Sequence, residues 1–264
     1  MTVKQAAQVL DLLQFFARRQ RTASLAEIAQ QLGWPRSSTF NMIGTLVDKG
    51  FLYEPVGRGG FYPTPRWLNL SQAVTQAQPV PEGLSAALGD AAAATGETAV
   101  LAASAGDSAV FLQVEDSPHA VRYAAHVGKR VPLYATATGR ALLSMYPERD
   151  RATLLARTRF ERHTAATLTS ARAVEADIAA SLQRGWFESA NGYTPDLCGI
   201  ALPLVVDDRH YAMMVAGPIN RVAGNYRRLA LAAAVAVRRH AGRDVLRIAA
   251  PVASSGRGKA STAR

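Results

Sequence analysis

The stretch SLAEIAQQLGWPRSSTFNMIGTLVDKG, residues 24–50, predicts two helices joined by a tight turn. Its first half has apolar residues at the spacing of one helix face, at Leu25, Ile28, Ala29 and Leu32. Gly33 follows, the residue type that most easily adopts the left-handed end of a helix. Pro35 fits the first turn of the next helix, where no backbone hydrogen bond is lost. That helix then has an apolar stripe at Phe40, Ile43, Leu46 and Val47 and ends at Gly50.

The flanking residues complete a small domain. An earlier helix is predicted from the apolar positions Ala6, Val9, Leu10, Leu13 and Phe16, followed by the basic cluster Arg18, Arg19 and Arg21. Phe51–Glu54 and Phe61–Pro63 predict two short strands, joined by a glycine-rich turn with Arg58 at its tip. Three helices and such a hairpin form the winged helix-turn-helix arrangement.

The rest of the chain predicts a linker helix and a larger α+β domain. Residues 65–78 look helical but leave apolar side chains without a packing partner, which suggests a dimer contact. Strands are predicted at Thr98–Ala103, Ala109–Glu115, Ala120–Ala125, Gly199–Val206 and Tyr211–Gly217. Helices are predicted at Glu82–Ala94, Gly139–Met145, Glu148–Ala156, Arg172–Arg184 and Tyr226–Ala241. This order favours an antiparallel sheet with helices packed on it. The predicted domains are the winged helix-turn-helix at 1–64, the linker helix at 65–78, a sensor domain at 79–247 and a disordered basic tail at 248–264.

Charge and composition restrict the class of protein. The net charge of +10 favours a polyanionic partner. Residues 1–65 hold seven basic and four acidic side chains, so charge alone does not locate the contact. The single cysteine, Cys198, excludes an internal disulfide and a cysteine-rich zinc site. No apolar stretch approaches the roughly 20 residues of a membrane span, so we expect a cytoplasmic protein without a membrane partner.

The polar face of the third helix is the candidate DNA contact. Ser38, Asn41 and Thr45 lie opposite the apolar stripe, and Arg36, Ser37 and Thr39 are in the first turn. An Asn side chain can pair bidentately with adenine, and helix N-terminal groups can fix phosphates. We therefore expect Asn41 and Ser38 to read bases and Arg36, Ser37 and Thr39 to position the DNA backbone. Any amphipathic helix has a polar face, however, and Arg58 is equally explained as a contact to DNA or a solvated turn residue.

Several segments in order resemble the IclR family of bacterial regulators. They are residues 24–29, 33–39, 46–52, 95–98, 127–143, 199–203 and 217–221. The resemblance covers almost the whole chain apart from the tail. It implies operator-binding dimers or dimers of dimers that often control catabolism of small organic or aromatic acids. It also implies a GAF-like C-terminal domain that binds the effector.

The resemblance further implies an effector cavity at the sheet of that domain. Its boundary would be formed by Val121, Ala137, Thr138, Ser189, Gly199, Met214 and Ala216, with Tyr123, His126 and Cys198 as sequence neighbours that could line it. The family usually has acidic residues where this chain has 189–192, and often Ser or Cys at the positions of Met214, Ala216 and Gly199. These departures predict a less polar cavity, suited to an aromatic or bulkier ligand rather than a two- or three-carbon oxoacid. The family also commonly has Arg where Asn41 stands, so operator preference cannot be carried over.

Two other classes of function stay open from the residues themselves. An enzyme is the main alternative, but the five histidines show no metal-ligand spacing, no nucleophile elbow occurs, and Cys198 has no evident histidine partner. We expect no catalytic residue, metal or cofactor. The C-terminal half could also be an oligomerisation module that binds no ligand.

Overall fold

The computed structural model describes residues 3–56, 59–77 and 79–248. Contacts divide the chain into two compact units, residues 1–79 and 80–264. Arg58 and all but the first residue of the predicted basic tail lie outside the described residues. Within the described ranges, no helix is long and apolar enough to cross a membrane.

The N-terminal unit has the predicted order of helices and strands. Its elements are α1 (Lys4–Arg19), α2 (Leu25–Leu32), α3 (Arg36–Asp48), β1 (Leu52–Tyr53), β2 (Tyr62–Pro63) and α4 (Arg66–Ala77). Helix α4 spans most of the predicted linker helix, and none of its residues is buried. The Trp67 indole fixes its start by donating a 3.0 Å hydrogen bond to the Phe51 carbonyl.

Helix α2 is closed at both ends by local interactions. The Ser24 hydroxyl accepts from the Glu27 amide, and the Ser24 amide donates to the Glu27 carboxylate at 2.9 Å. These reciprocal bonds satisfy two backbone donors at the helix start. At the other end Gly33 has a φ of 66°, the left-handed cap that the sequence predicts.

The core of this unit uses only part of each predicted helix face. In α1 the buried apolar residues are Leu12, Phe15 and Phe16, whereas Leu10 is exposed. In α3 they are Ile43 and Leu46, whereas Phe40 and Val47 are exposed. The predicted stripe of α3 is therefore confirmed at Ile43 and Leu46 and wrong at Phe40 and Val47; in α1 burial confirms Phe16 and contradicts Leu10. Thr39 takes a core position in α3 because its hydroxyl donates to the Pro35 carbonyl within the same helix.

The hairpin pairs Leu52 with Pro63 and Tyr53 with Tyr62. An antiparallel bridge from Ala23 to Phe61 ties it to the segment before α2. Gly60 makes this approach possible, because a Cβ atom there would lie 2.5 Å from the Ala23 carbonyl. The hairpin is therefore held against the helices at its second strand.

The C-terminal unit is a six-stranded antiparallel sheet with helices on both faces. Its elements are α5 (Glu82–Thr95), β3 (Thr98–Ala105), β4 (Ser108–Glu115), β5 (Arg130–Pro132), α6 (Ala137–Leu143), α7 (Glu148–Arg157), α8 (Ala171–Arg184), β6 (Phe187–Ala190), β7 (Leu197–Val206), β8 (Arg209–Pro218), α9 (Ile219–Val222) and α10 (Tyr226–His240). The strand order is β5-β4-β3-β8-β7-β6. This is the α+β architecture that the sequence predicts.

Alternate residues of the central strands serve two separate cores. Met213 and Val215 of β8 belong to the core that contains α5 and α10. Met214 and Ala216 face the opposite side, in the core that contains α6 and α8. The period of two along β8 therefore points Met214 and Ala216 toward α6.

The predicted strand at Ala120–Ala125 is wrong. Residues 116–127 form an irregular segment between β4 and β5. Side chains satisfy its backbone in place of a neighbouring strand: Thr98 donates to the Tyr123 carbonyl at 3.0 Å, and Arg221 donates to the Val121 carbonyl at 2.9 Å. The short helix α9, which carries Arg221, was not predicted.

Candidate functional site

The outward face of α3 carries the candidate DNA contacts. Its exposed polar residues are Arg36, Ser37, Ser38, Asn41 and Thr45. The Thr45 hydroxyl donates to the Asn41 backbone carbonyl at 2.8 Å, a bond that does not use the Asn41 side-chain amide. No side chain caps the start of α3, so the first-turn backbone amides are available to an anion.

Thr39 does not belong to this face. Its side chain is fully buried. The prediction that it lies on the exposed first turn and positions the DNA backbone is therefore wrong. The physical reason is the bond to Pro35, which makes the hydroxyl compatible with the core.

The C-terminal unit contains a small, half-open cavity of about 40 Å³ between the sheet and α6. Eight of the ten predicted effector-site residues line it: Tyr123, Ala137, Thr138, Ser189, Cys198, Gly199, Met214 and Ala216. Seven lining residues were not predicted: Phe111, Val131, Thr136, Gly192, Tyr193, Thr194 and Leu197. Strand periodicity could have identified Phe111 and Val131, which face the same core as Met214.

Val121 and His126 do not line this cavity. The Val121 side chain is 70% exposed, because the backbone bond to Arg221 holds this part of the segment away from the sheet. His126 is exposed, and its Nδ1 lies 3.1 Å from the carbonyl oxygen of Val127. Their predicted place in the cavity wall is wrong because the expected strand at 120–125 does not form.

The cavity walls are mostly apolar, but they contain hydroxyl groups that differ in whether the protein supplies them with a hydrogen-bond partner. The Thr136 hydroxyl accepts from the Gly139 amide and donates to the Pro132 carbonyl, so it is already used in the fold. The Thr138 hydroxyl is buried and has no protein partner. Burial raises the pKa of the Tyr123 phenol to about 12, so this group is a neutral donor near pH 7.

Gly199 sets the distance between two strands at the cavity floor. It pairs with Ala216, and a Cβ atom at position 199 would lie 2.8 Å from the Ala216 Cβ and from the Val215 carbonyl oxygen. The small residues at 199 and 216 therefore let the two strands pair closely and still leave room for the cavity above them. The thiol of the adjacent Cys198 is buried, and burial, followed by the hydrogen bond with this thiol, raises the pKa of Tyr226.

Helix α6 is held at the cavity by a buried cation. Arg140 donates to Asp177 of α8 at 2.5 Å and to the Glu188 carbonyl of β6 at 2.8 Å. Burial lowers the pKa of Arg140, and the nearby Asp177 carboxylate opposes that shift. These contacts fix Thr138, on α6, relative to Ser189, on β6.

The opposite wall is a loop that carries Gly192, Tyr193 and Thr194. The Thr164 hydroxyl donates to the Asn191 carbonyl, and the Thr167 hydroxyl donates to the Gly192 carbonyl at 2.8 Å. The Tyr193 ring packs edge-on against His163 with 4.8 Å between ring centroids. In the part of the chain that the structure describes, no group of three or more His, Cys, Asp or Glu side chains is placed to hold a metal ion.

Comparisons with known proteins agree with this division into two functional regions. Residues 6–55 match the IclR helix-turn-helix domain, and residues 72–245 match the bacterial transcriptional regulator IclR C-terminal domain. The chain is 26% identical over 229 residues to the transcriptional repressor IclR of Escherichia coli, covering 83% of this chain and 82% of the relative. It is 28% identical over 208 residues to the HTH-type transcriptional regulator BhcR of Paracoccus denitrificans, covering 75% of this chain and 72% of the relative.

Solved structures support the fold. The Thermotoga maritima IclR structure superposes with a TM-score of 0.73 at 18% identity, covering 90% of this chain and 98% of that one. An IclR homologue from Microbacterium hydrocarbonoxydans, complexed with 4-hydroxybenzoate, has a TM-score of 0.66 at 19% identity, covering 89% and 100%. The two named sequence relatives of this chain are DNA-binding regulators rather than enzymes. The chain belongs to the IclR family of bacterial transcriptional regulators.

Proposed function

We propose that this regulator binds an operator through α3 and that a small aromatic acid in the C-terminal cavity modulates that binding. The observation that carries the proposal is the unpartnered Thr138 hydroxyl in a mostly apolar cavity that has no charged lining residue. A buried hydroxyl without a partner costs free energy, so a ligand that accepts or donates a hydrogen bond there gains affinity.

The cavity lining favours a ring over a short oxoacid. Phe111, Met214 and Leu197 offer apolar surface, and none of the described lining residues is Asp, Glu, Lys, Arg or His. A two- or three-carbon oxoacid has little apolar surface and two adjacent polar groups, which such walls solvate poorly. An aromatic acid can bury its ring and direct its polar groups to the Thr138 and Tyr123 hydroxyls. The homologue complexed with 4-hydroxybenzoate is a precedent for this chemistry on the same fold.

On the DNA side, we assign base reading to Asn41 and Ser38 and backbone contacts to Arg36 and Ser37. Thr45 extends the same exposed face toward the end of α3. We assign Arg58, at the hairpin turn, to a phosphate or minor-groove contact. These roles match the chemistry of each side chain: a planar amide for a base edge and guanidinium groups for phosphates.

The acting species is proposed to be a cytoplasmic homodimer or dimer of dimers. Leu68, Leu70 and Val74 of α4 are all exposed, an apolar set that a second copy would cover. A paired helix would also suit an operator with two half-sites.

A thermal-unfolding screen of the full chain tests the ligand class. The panel contains benzoate, 4-hydroxybenzoate and related ring acids beside pyruvate and glyoxylate. We expect ring acids to raise the unfolding temperature. Thr138→Val should raise the Kd of the ring acid about tenfold, since one hydrogen bond to a buried group is worth about 1–2 kcal/mol. Thr153→Val, on the exposed side of α7, should leave it unchanged. Stabilisation by pyruvate or glyoxylate alone would refute the proposed ligand class.

A further inference from the structure

One aromatic side chain of the N-terminal unit lies outside the hydrophobic core. Phe40 is 66% exposed and takes no part in the cluster formed by Ile43, Leu46 and their neighbours. Thr39 and Ile43 are one turn apart on the buried face of α3. Their burial fixes the rotation of the helix and turns Phe40 to solvent. A single exposed apolar residue is common at protein surfaces. Phe40 is of interest because it lies on α3, the helix assigned to the DNA contact.

Phe40 shares a ridge of the helix with the residues assigned to DNA. Ser37, Phe40, Asn41 and Gly44 are spaced i, i+3, i+4 and i+7, so they project from one side of α3. At Gly44 a Cβ atom would meet nothing within 4 Å. The ring of Phe40 and the amide of Asn41 therefore stand beside a gap in the ridge, where a base edge can approach the helix closely.

We propose that Phe40 contacts the C5-methyl group of a thymine in the operator, next to the base that Asn41 reads, and so determines specificity. The major groove presents one apolar group per A·T pair, the thymine methyl, and aromatic side chains are among those that contact it. The contact removes the ring edge and the methyl from water together. This inference rests on the proposed placement of α3 in the major groove.

The test compares thymine with uracil, which lacks only that methyl group. Bound sequences are first selected from random duplexes with the full chain, and each thymine of the selected site is then replaced singly by deoxyuridine. At one position in each half-site we expect uracil to weaken binding by the wild-type protein by roughly fourfold, the loss expected for one buried methyl. Phe40→Ala should bind the thymine and uracil forms of that position equally. The ring makes no core contact, so the variant should fold normally, which circular dichroism checks.

Val47→Ala is the matched control, because Val47 is exposed two turns further along the same flank of α3. It should keep the uracil sensitivity of the wild-type protein. The proposal is overturned if no position is sensitive to uracil, or if Phe40→Ala keeps the sensitivity. If Asn41→Ala changes base preference in the same selection while Phe40→Ala keeps that sensitivity, α3 still reads DNA and only the role of Phe40 falls. If no sequence is selected at all, the placement of α3 falls with it.

Discussion

Arg221 donates two hydrogen bonds to the carboxylate of Glu97, at 2.7 and 2.8 Å, and a third to the Val121 carbonyl. The two partners are 124 residues apart, and Glu97 is only 4% exposed. The bidentate bond raises the pKa of Arg221, so the guanidinium stays charged. It joins the start of β3 to α9 and fixes the segment that places Tyr123 over the cavity.

Replacing Arg221 with Met should destabilise the C-terminal unit by about 2–4 kcal/mol, because Glu97 would be left buried without a partner. It should also weaken ligand binding, since the segment carrying Tyr123 loses its Val121 anchor. Urea unfolding and ligand titration measure the two effects. Arg239→Ala is the control: its bond to Asp90 is at the surface, where solvent screens it, so its loss should leave stability almost unchanged. Equal effects of the two substitutions would contradict the structural role assigned to the bonds from Arg221 to Glu97 and Val121.

Gly199→Ala should destabilise the protein by about 1–3 kcal/mol, because the new methyl would be forced against Ala216 and the Val215 carbonyl. It should also reduce ligand affinity by narrowing the cavity floor. Gly89→Ala provides the comparison, since that position in α5 has open space around it. There we expect a gain of up to about 1 kcal/mol from the better helix residue. Thermal unfolding of both variants should show a lower unfolding temperature for Gly199→Ala and a higher one for Gly89→Ala.

The predictions that held were those set by local chemistry. The Gly33 cap follows from residue type at a fixed position, and Pro35 marks the start of α3 as its N-cap, one residue before the first turn in which it was predicted. The buried face of α1 was only partly predictable, because Leu10 is apolar but lies off that face, whereas Leu12 and Phe15 lie on it. Thr39 was misplaced because its intrahelical hydrogen bond hides a polar group. Tyr193 and Thr194 reach the cavity from a loop flanked by the left-handed residues Asn191 and Asp196, where no periodicity applies.

Acid should weaken the N-terminal unit through Glu27. The hydrogen bond from the Ser24 backbone, followed by that from Arg19, lowers the Glu27 pKa from 4.5 to about 2. A lowered folded-state pKa gives a stabilisation that is present above pH 4.5 and is lost as the pH falls toward 2. The stability difference between the wild-type protein and Glu27→Gln should therefore shrink across this window in denaturant unfolding. A difference that stays constant from pH 5 to pH 2 would show that the carboxylate is not coupled to folding.

The residues assigned to DNA should separate by their effects on specificity and salt dependence. Asn41→Ala should change base preference at one position of the operator and cost about 1–3 kcal/mol against the preferred site. Arg36→Ala and Arg58→Ala should weaken binding to all sequences alike and reduce the salt slope by about one each. Anisotropy titrations at several salt concentrations distinguish the two patterns. If Asn41→Ala and Arg58→Ala both bound like the wild-type protein, the assignment of α3 and the hairpin would be wrong.

We propose that ligand binding in the cavity and operator binding by α3 are coupled through an equilibrium between two states of the regulator. Linkage requires the coupling to be reciprocal. The most direct measurement is the operator Kd with and without a saturating ring acid, together with the Kd of that acid with and without operator. We predict that both constants change by the same factor, of about 5–150-fold. A ring acid that binds the protein while leaving the operator Kd unchanged would contradict the account.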